Sequence, residues 1–213
     1  RNLLLDELPE DVRVIFGNRK PFSMNEGLKK DFDGVFFTGY HGAIGEPNAT
    51  LCHTYTPSVV YDARLNGMRC SEATLNAALA GHCGVPVIFI TGDRATIESA
   101  KTQMPWITGV VVKESIGNYA VDSMSPQAAQ DAIREGAERA VRGLNDARPF
   151  IVKPPIVLEI DFAKVEQADW VALIPGFERA APRTVSFTSG DFPTVFRAFV
   201  AAFRMGAVAD AQA

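Results

Sequence analysis

The sequence predicts an α/β fold in which helices flank a mostly parallel or mixed sheet, followed by a smaller C-terminal α+β part. Three observations carry this. Short apolar runs of strand length alternate with helical patterns along most of the 213 residues. "VPVIFITGD" (85–93) is apolar without alternation, as strands of a buried parallel sheet tend to be. The break "NDARPFIVKPP" (145–155) separates a long first stretch from a shorter second one. Residues 1–147 are therefore assigned to a main α/β domain and residues 148–213 to a C-terminal α+β portion.

The elements follow in order. "VRVIF" (12–16) and "GVFFTGY" (34–40) read as strands bounded by Gly or Asp. "VVYDARLNGMRC" (59–70) reads as a hairpin around Asn66-Gly67, because both positions of a type I′ turn need φ > 0. "SEATLNAALAGHCG" (71–84) is a helix with Ser71 at its N-cap and Gly84 as its stop. After the 85–93 strand come a short helix at "TIESAKTQM" (96–104) and a strand at "TGVVVK" (108–113). Ser125 at N-cap and Pro126 at N1 start the helix "SPQAAQDAIREGAERAVRGL" (125–144). Beyond the break lie a strand (156–162), a helical segment (166–174), a strand (184–188) and an amphipathic helix (191–206). Phe192, Phe196, Phe199 and Phe203 form a stripe on that last helix, which reads as contact surface or as core of its own domain.

Composition excludes several classes. A formal charge of −4 gives no electrostatic reason for a nucleic-acid or anionic-membrane partner. The longest apolar runs are strand-length, so no membrane-spanning segment is expected. Cys52, Cys70 and Cys83 are odd in number and lack C-x-x-C spacing, which argues against a disulfide framework and fits a reducing cytoplasm. No G-x-S-x-G elbow, Walker A loop or G-x-G-x-x-G fingerprint is present. The sequence opens "RNLLLDELPE", without Met or a signal-peptide pattern, and the expectation is a start further upstream.

Chemistry concentrates in "GYHGAIGEPNATLCHTY" (39–55), which holds two of the three histidines. His41 follows an apolar strand, and functional groups of open α/β sheets gather at the carboxyl ends of strands. His53 lies at the far end of the Gly-containing loop, which can fold back and bring both imidazoles to one side of a cleft. Each histidine alone reads equally as a hydrogen-bonded surface residue. Glu72 is a possible third ligand, although a carboxylate in the first turn of a helix is also stabilised by the helix dipole. A Cys52–His53 dyad is disfavoured because adjacent side chains on an extended segment diverge. His82 suits the last turn of its helix and is given no chemistry.

"KPFSMNEGL" (20–28), "FFTGYHG" (36–42), "LCHTY" (51–55), "LNGMRCSEATLNAALAG" (65–81), "PVIFITGD" (86–93), "VVKESIG" (111–117) and "SMSPQAA" (123–129) occur in this order. Together they resemble peptidase family M55, the zinc-dependent D-aminopeptidases, over nearly the whole chain. The resemblance implies an enzyme that removes an N-terminal D-amino acid from short peptides with a hydroxide activated by two zinc ions. It implies zinc ligation by His41 and Glu72, and a catalytic His53 beside the metals, on the oxyanion or on the leaving amine. It further implies a homo-oligomer, a decamer enclosing a chamber. The family's opening strands, with an Asp-x-Glu zinc motif and another ligand histidine, lie upstream of the block matching Arg1. A zinc site needs about three protein ligands per ion, so an N-terminal segment or a companion chain is expected to complete the centre.

Lys113 matches a recurrent family lysine and either contacts substrate or caps a strand end. Asn118 stands where the family carries Arg, and an amide cannot reproduce a guanidinium's bidentate grip on a carboxylate. These two are the candidate substrate-binding residues. Two other readings stay open: a zinc amidohydrolase acting on another small amide or an L-peptide, and a metal-free binding or assembly subunit.

Overall fold

The structure, a computed structural model, describes residues 3–211. In chain order these form β1 (Val35–Phe37), β2 (Val60–Leu65), β3 (Met68–Arg69), α1 (Glu72–His82), β4 (Val87–Asp93) and α2 (Arg94–Gln103). Then come β5 (Thr108–Gly117), β6 (Ala120–Ser123), α3 (Pro126–Arg142), β7 (Ile156–Phe162), α4 (Val165–Val171), β8 (Phe177–Ala181), β9 (Thr184–Ser189) and α5 (Phe192–Ala211). The strands make two sheets. The four-stranded sheet runs β1-β4-β5-β6, parallel across β1, β4 and β5 and antiparallel at β6. The five-stranded sheet runs β3-β2-β7-β9-β8 and is antiparallel throughout. The mixed α/β class expected from the sequence is the one observed.

The hairpin β2–β3 forms as its turn chemistry requires, with Asn66 at φ 51° and Gly67 at φ 78°. It pairs with β7, so residues 60–69 share a sheet with the C-terminal strands although they precede residue 147. Other segments differ from expectation. Residues 13–16 are extended but join neither sheet, and Val14, Ile15 and Phe16 are exposed. A β-branched run becomes a strand only where a ladder partner lies alongside. The 34–40 strand is paired only over Val35–Phe37, because Gly39 at φ 71° turns the chain away.

α1 lies between the two sheets and is buried from Glu72 to Gly81. Its Leu75, Ala78 and Leu79 pack with β2, β7, α4 and α5, whereas Ala73, Ala77 and Ala80 pack with β1, β4 and α2. Alanine suits a helix approached closely from both sides, because it adds little bulk and favours the helix. The Phe192, Phe196, Phe199 and Phe203 stripe is likewise core, each at most 3% exposed. α5 is long and apolar enough to cross a membrane, but this apolar face is turned inward against the five-stranded sheet. α3 covers the other face of the parallel sheet through Val110, Phe89 and Ala140. The carboxyl ends of β1 and β4 and the N-terminus of α1 therefore open at one place.

Candidate metal centre

Ser71 caps α1 by accepting from the Thr74 N–H, and Thr74 Oγ1 returns a bond from the Ser71 N–H. The next residue, Glu72, is held at the helix start, where the dipole favours its charge. Its side chain is only 8% exposed and turns toward the 39–55 loop, where Oε1 accepts from the Tyr55 N–H at 2.7 Å. Tyr55 is fixed in turn by the α5 stripe, with ring centroids 5.2 Å from Phe199 and 5.3 Å from Phe203.

The loop folds back as its glycines permit. The His53 N–H donates to the Gly42 carbonyl at 3.2 Å, closing the segment between the two histidines. A Cβ at Gly42 would lie 2.5 Å from Ala49 Cβ, so this closure requires glycine. The imidazoles stack with centroids 3.9 Å apart and planes 14° from parallel. His41 Nδ1 lies 3.1 Å from the Gly42 carbonyl, and His53 Nδ1 lies 2.5 Å from the Leu51 carbonyl. A carbonyl only accepts, so each Nδ1 donates to it and each ring turns its Nε2 toward the centre.

Those two Nε2 atoms face the same carboxylate oxygen, Glu72 Oε1, at 3.6 Å from His41 and 3.4 Å from His53. An imidazole lone pair turned toward a carboxylate is repelled by it unless a proton or a cation lies between them. The three donor atoms fall within 4.8 Å of one another. Ligands about 2.0–2.2 Å from a tetrahedral zinc sit about 3.3–3.6 Å apart, and two imidazoles with a carboxylate are a zinc donor set that leaves a position open. The residues present therefore fit one ion.

The surrounding shell is hydrogen-bonded and largely buried. Buried Asn76 accepts from Tyr55 OH at 2.8 Å and Asn25 Nδ2 at 2.6 Å, and donates to Tyr40 OH at 2.9 Å. Burial, and to a lesser degree the charge of Glu72, push both phenols well above their ordinary pKa, so they stay protonated. Asp93, fully buried at the end of β4, caps α2 by accepting from the Thr96 N–H and holds the loop by accepting from the Thr50 N–H at 3.0 Å. Cys52 and His53 diverge as expected, the thiol donating to the Glu46 and Ala49 carbonyls. His82 lies 3.8 Å from Asp191, away from the centre.

Lys113 sits half-buried in β5 beside Asp93 in register. Asn118 occupies the β5–β6 turn and accepts from the Cys52 N–H at 2.7 Å. It lines a cleft of about 440 Å³ with Glu46, Asn48 and Cys52, and that lining includes neither histidine of the centre nor Glu72. Sequence reasoning brought His41, His53 and Glu72 together but passed over Asp93, Asn76 and Tyr40. A carboxylate at the junction of an apolar strand and a helix was the available signal for Asp93.

An α/β chain with imidazole and carboxylate donors at the carboxyl ends of its parallel strands has the makings of a metal-dependent enzyme. The chain belongs to peptidase family M55, the D-aminopeptidases, which it matches over residues 1–201. It is 32% identical over 203 residues to a D-aminopeptidase of Bacillus subtilis (strain 168), across 93% of this chain and 72% of that protein. Its fold is similar to that of the Zn-dependent D-aminopeptidase DppA from Bacillus subtilis, a self-compartmentalizing protease. The TM-score is 0.92 at 30% identity, covering 97% of this chain and 75% of that one.

Proposed function

We propose that this protein is a zinc aminopeptidase that releases the N-terminal D-residue of short peptides, and that it works as a homo-oligomer, a decamer by resemblance to its family. The observation that carries the reading is the convergence of two imidazole Nε2 atoms on one buried carboxylate, both Nδ1 atoms being engaged by backbone carbonyls. Family membership supports the reaction class. The full centre holds two zinc ions, and at about three protein ligands per ion it takes donors beyond His41 and Glu72.

Zinc bound there supplies a Lewis acid that acidifies water and polarises the scissile carbonyl. The chain's own residues do the rest. Glu72 offsets the positive charge and is fixed by Tyr55. His41, the less exposed imidazole at 17%, is a ligand with its ring orientation set by Gly42. With further ligands completing the metal shell, the Nε2 of His53, more open at 28%, stays off the ion, takes the proton of the attacking water and delivers it to the departing amine. The Tyr40–Asn76–Tyr55 network keeps the carboxylate's surroundings rigid.

The test uses the full-length protein, with zinc measured by plasma mass spectrometry and hydrolysis compared on D-alanyl and L-alanyl dipeptides. The expected result is bound zinc and preference for the D-substrate, with His41→Ala losing both zinc and activity. His53→Ala is expected to keep the zinc and lose most turnover. Zinc content unchanged in His41→Ala would overturn the ligand assignment, and preference for the L-substrate would move the enzyme to another amide. A monomer by light scattering would remove the oligomer.

A further inference from the structure

We infer that Asn118 is a positioning residue that sets the orientation of the His53 imidazole from the tip of the β5–β6 hairpin. The inference rests on His53 belonging to the catalytic centre.

Asn118 reaches the loop twice. Its Oδ1 accepts from the Cys52 N–H at 2.7 Å, and its main-chain carbonyl accepts from the Leu51 N–H at 2.8 Å. The segment it grips is strained, since Leu51 adopts φ 51° in the left-handed region that a non-glycine side chain disfavours. Such a conformation persists only where neighbouring contacts impose it. The carbonyl of this same Leu51 accepts the Nδ1 proton of His53 at 2.5 Å. Asn118 therefore acts on the ring through one intervening peptide.

The grip is two-sided. On the opposite flank the Thr50 N–H donates to Asp93, whose carboxylate is fully buried. Thr50, Leu51 and Cys52 thus give their N–H groups in succession to Asp93, to the Asn118 main chain and to the Asn118 side chain. If either flank slackens, the Leu51 carbonyl swings, and the His53 proton is no longer confined to Nδ1. The role needs only an acceptor at the tip of residue 118. A substrate carboxylate, by contrast, would need a donor there.

That difference supplies the test, made on the full-length protein with Asn118→Ala and Asn118→Asp. The tautomer of His53 is read by nitrogen-15 NMR in metal-free protein, and kcat and KM are measured on a D-alanyl dipeptide with zinc. In Asn118→Ala the Nδ1-protonated form is expected to give way to a mixture, with kcat down about tenfold and KM little changed. Asn118→Asp keeps the acceptor and is expected to restore both the tautomer and kcat. An unchanged tautomer in Asn118→Ala would overturn the inference. So would an Asn118→Asp variant with normal kcat and a raised KM, which marks a substrate contact. If the wild-type protein hydrolyses nothing, the proposed function fails, while the tautomer still decides the role of Asn118.

Discussion

Replacing Asn76 with leucine tests whether the polar hub behind the centre supports the fold as well as the site. Leucine repeats the forked outline and heavy-atom count of asparagine, so the change removes the hydrogen bonds, and its bulkier methyls can only add to the loss. Asn76 is 0% exposed and serves three partners: Tyr55 OH, Asn25 Nδ2 and Tyr40 OH. Leucine leaves all three without it. At about 1 kcal/mol each, the low end for a stranded buried group, the loss is about 3 kcal/mol. Leucine's better helix propensity returns about 0.5 kcal/mol. For a chain of this size each kcal/mol moves Tm by about 2–4 °C, so the expected fall is about 5–10 °C. Calorimetry of the metal-free protein measures it. Tyr55→Phe takes one of three partners from Asn76, which stays paired with Asn25 and Tyr40, so a smaller loss of about 1 kcal/mol is expected there. A Tm for Asn76→Leu within about 2 °C of wild type, or a Tyr55→Phe loss equal to it, would refute the reasoning.

Gly81→Ala would place a Cβ 1.9 Å from the Phe150 carbonyl oxygen, a backbone atom that cannot rotate aside. A loss of at least about 2 kcal/mol is expected as a lower urea midpoint at unchanged slope, and an unmoved midpoint would mean that the 150 segment shifts freely. A further expectation concerns pH. Burial tends to raise the Asp161 carboxyl, but hydrogen bonds from Arg64 and Thr184, with the charges of Arg64 and Arg183, outweigh it and hold the group below its ordinary 3.8. A carboxyl lowered in the folded state adds stability that is present above the unfolded value and lost as pH falls through the folded one. Arg64→Gln is therefore expected to flatten the loss of stability on acidification below about pH 4, and an acid limb identical to wild type would contradict it.

How much of this was legible in the sequence depended on whether the cause was local. The hairpin at Asn66-Gly67, the Ser71 and Ser125 caps and the apolar run of β4 each carry their instructions within a few residues, and each forms. β8 and β6 went unread because "FERAA" and "AVDS" have little strand character and exist through pairing with β9 and β5. The run at 12–16 shows the reverse, strand-forming residues without a ladder. At the site, the crowding of two histidines into one loop was visible, Glu72 stood open between ligand and helix-start charge, and the resemblance chose the ligand. Asp93 and Asn76 were not, since their roles come from groups that the fold brings in from β4 and α1. The carbonyls of Gly42 and Leu51 leave no mark in the sequence at all.

That last point bears on how such a centre can change over time. Which nitrogen of each imidazole carries its proton is dictated by main-chain oxygens, and no side-chain replacement deletes a main-chain oxygen. The specification therefore resides in the contour and length of the loop. Rim positions such as Pro47, exposed on the outer side, are free to drift and alter what an arriving molecule meets. Adding or removing one residue between Gly42 and Leu51 would break the closure from the His53 N–H to the Gly42 carbonyl and move the two rings against each other. Such a loop is expected to vary in spelling across descendants while holding its length constant.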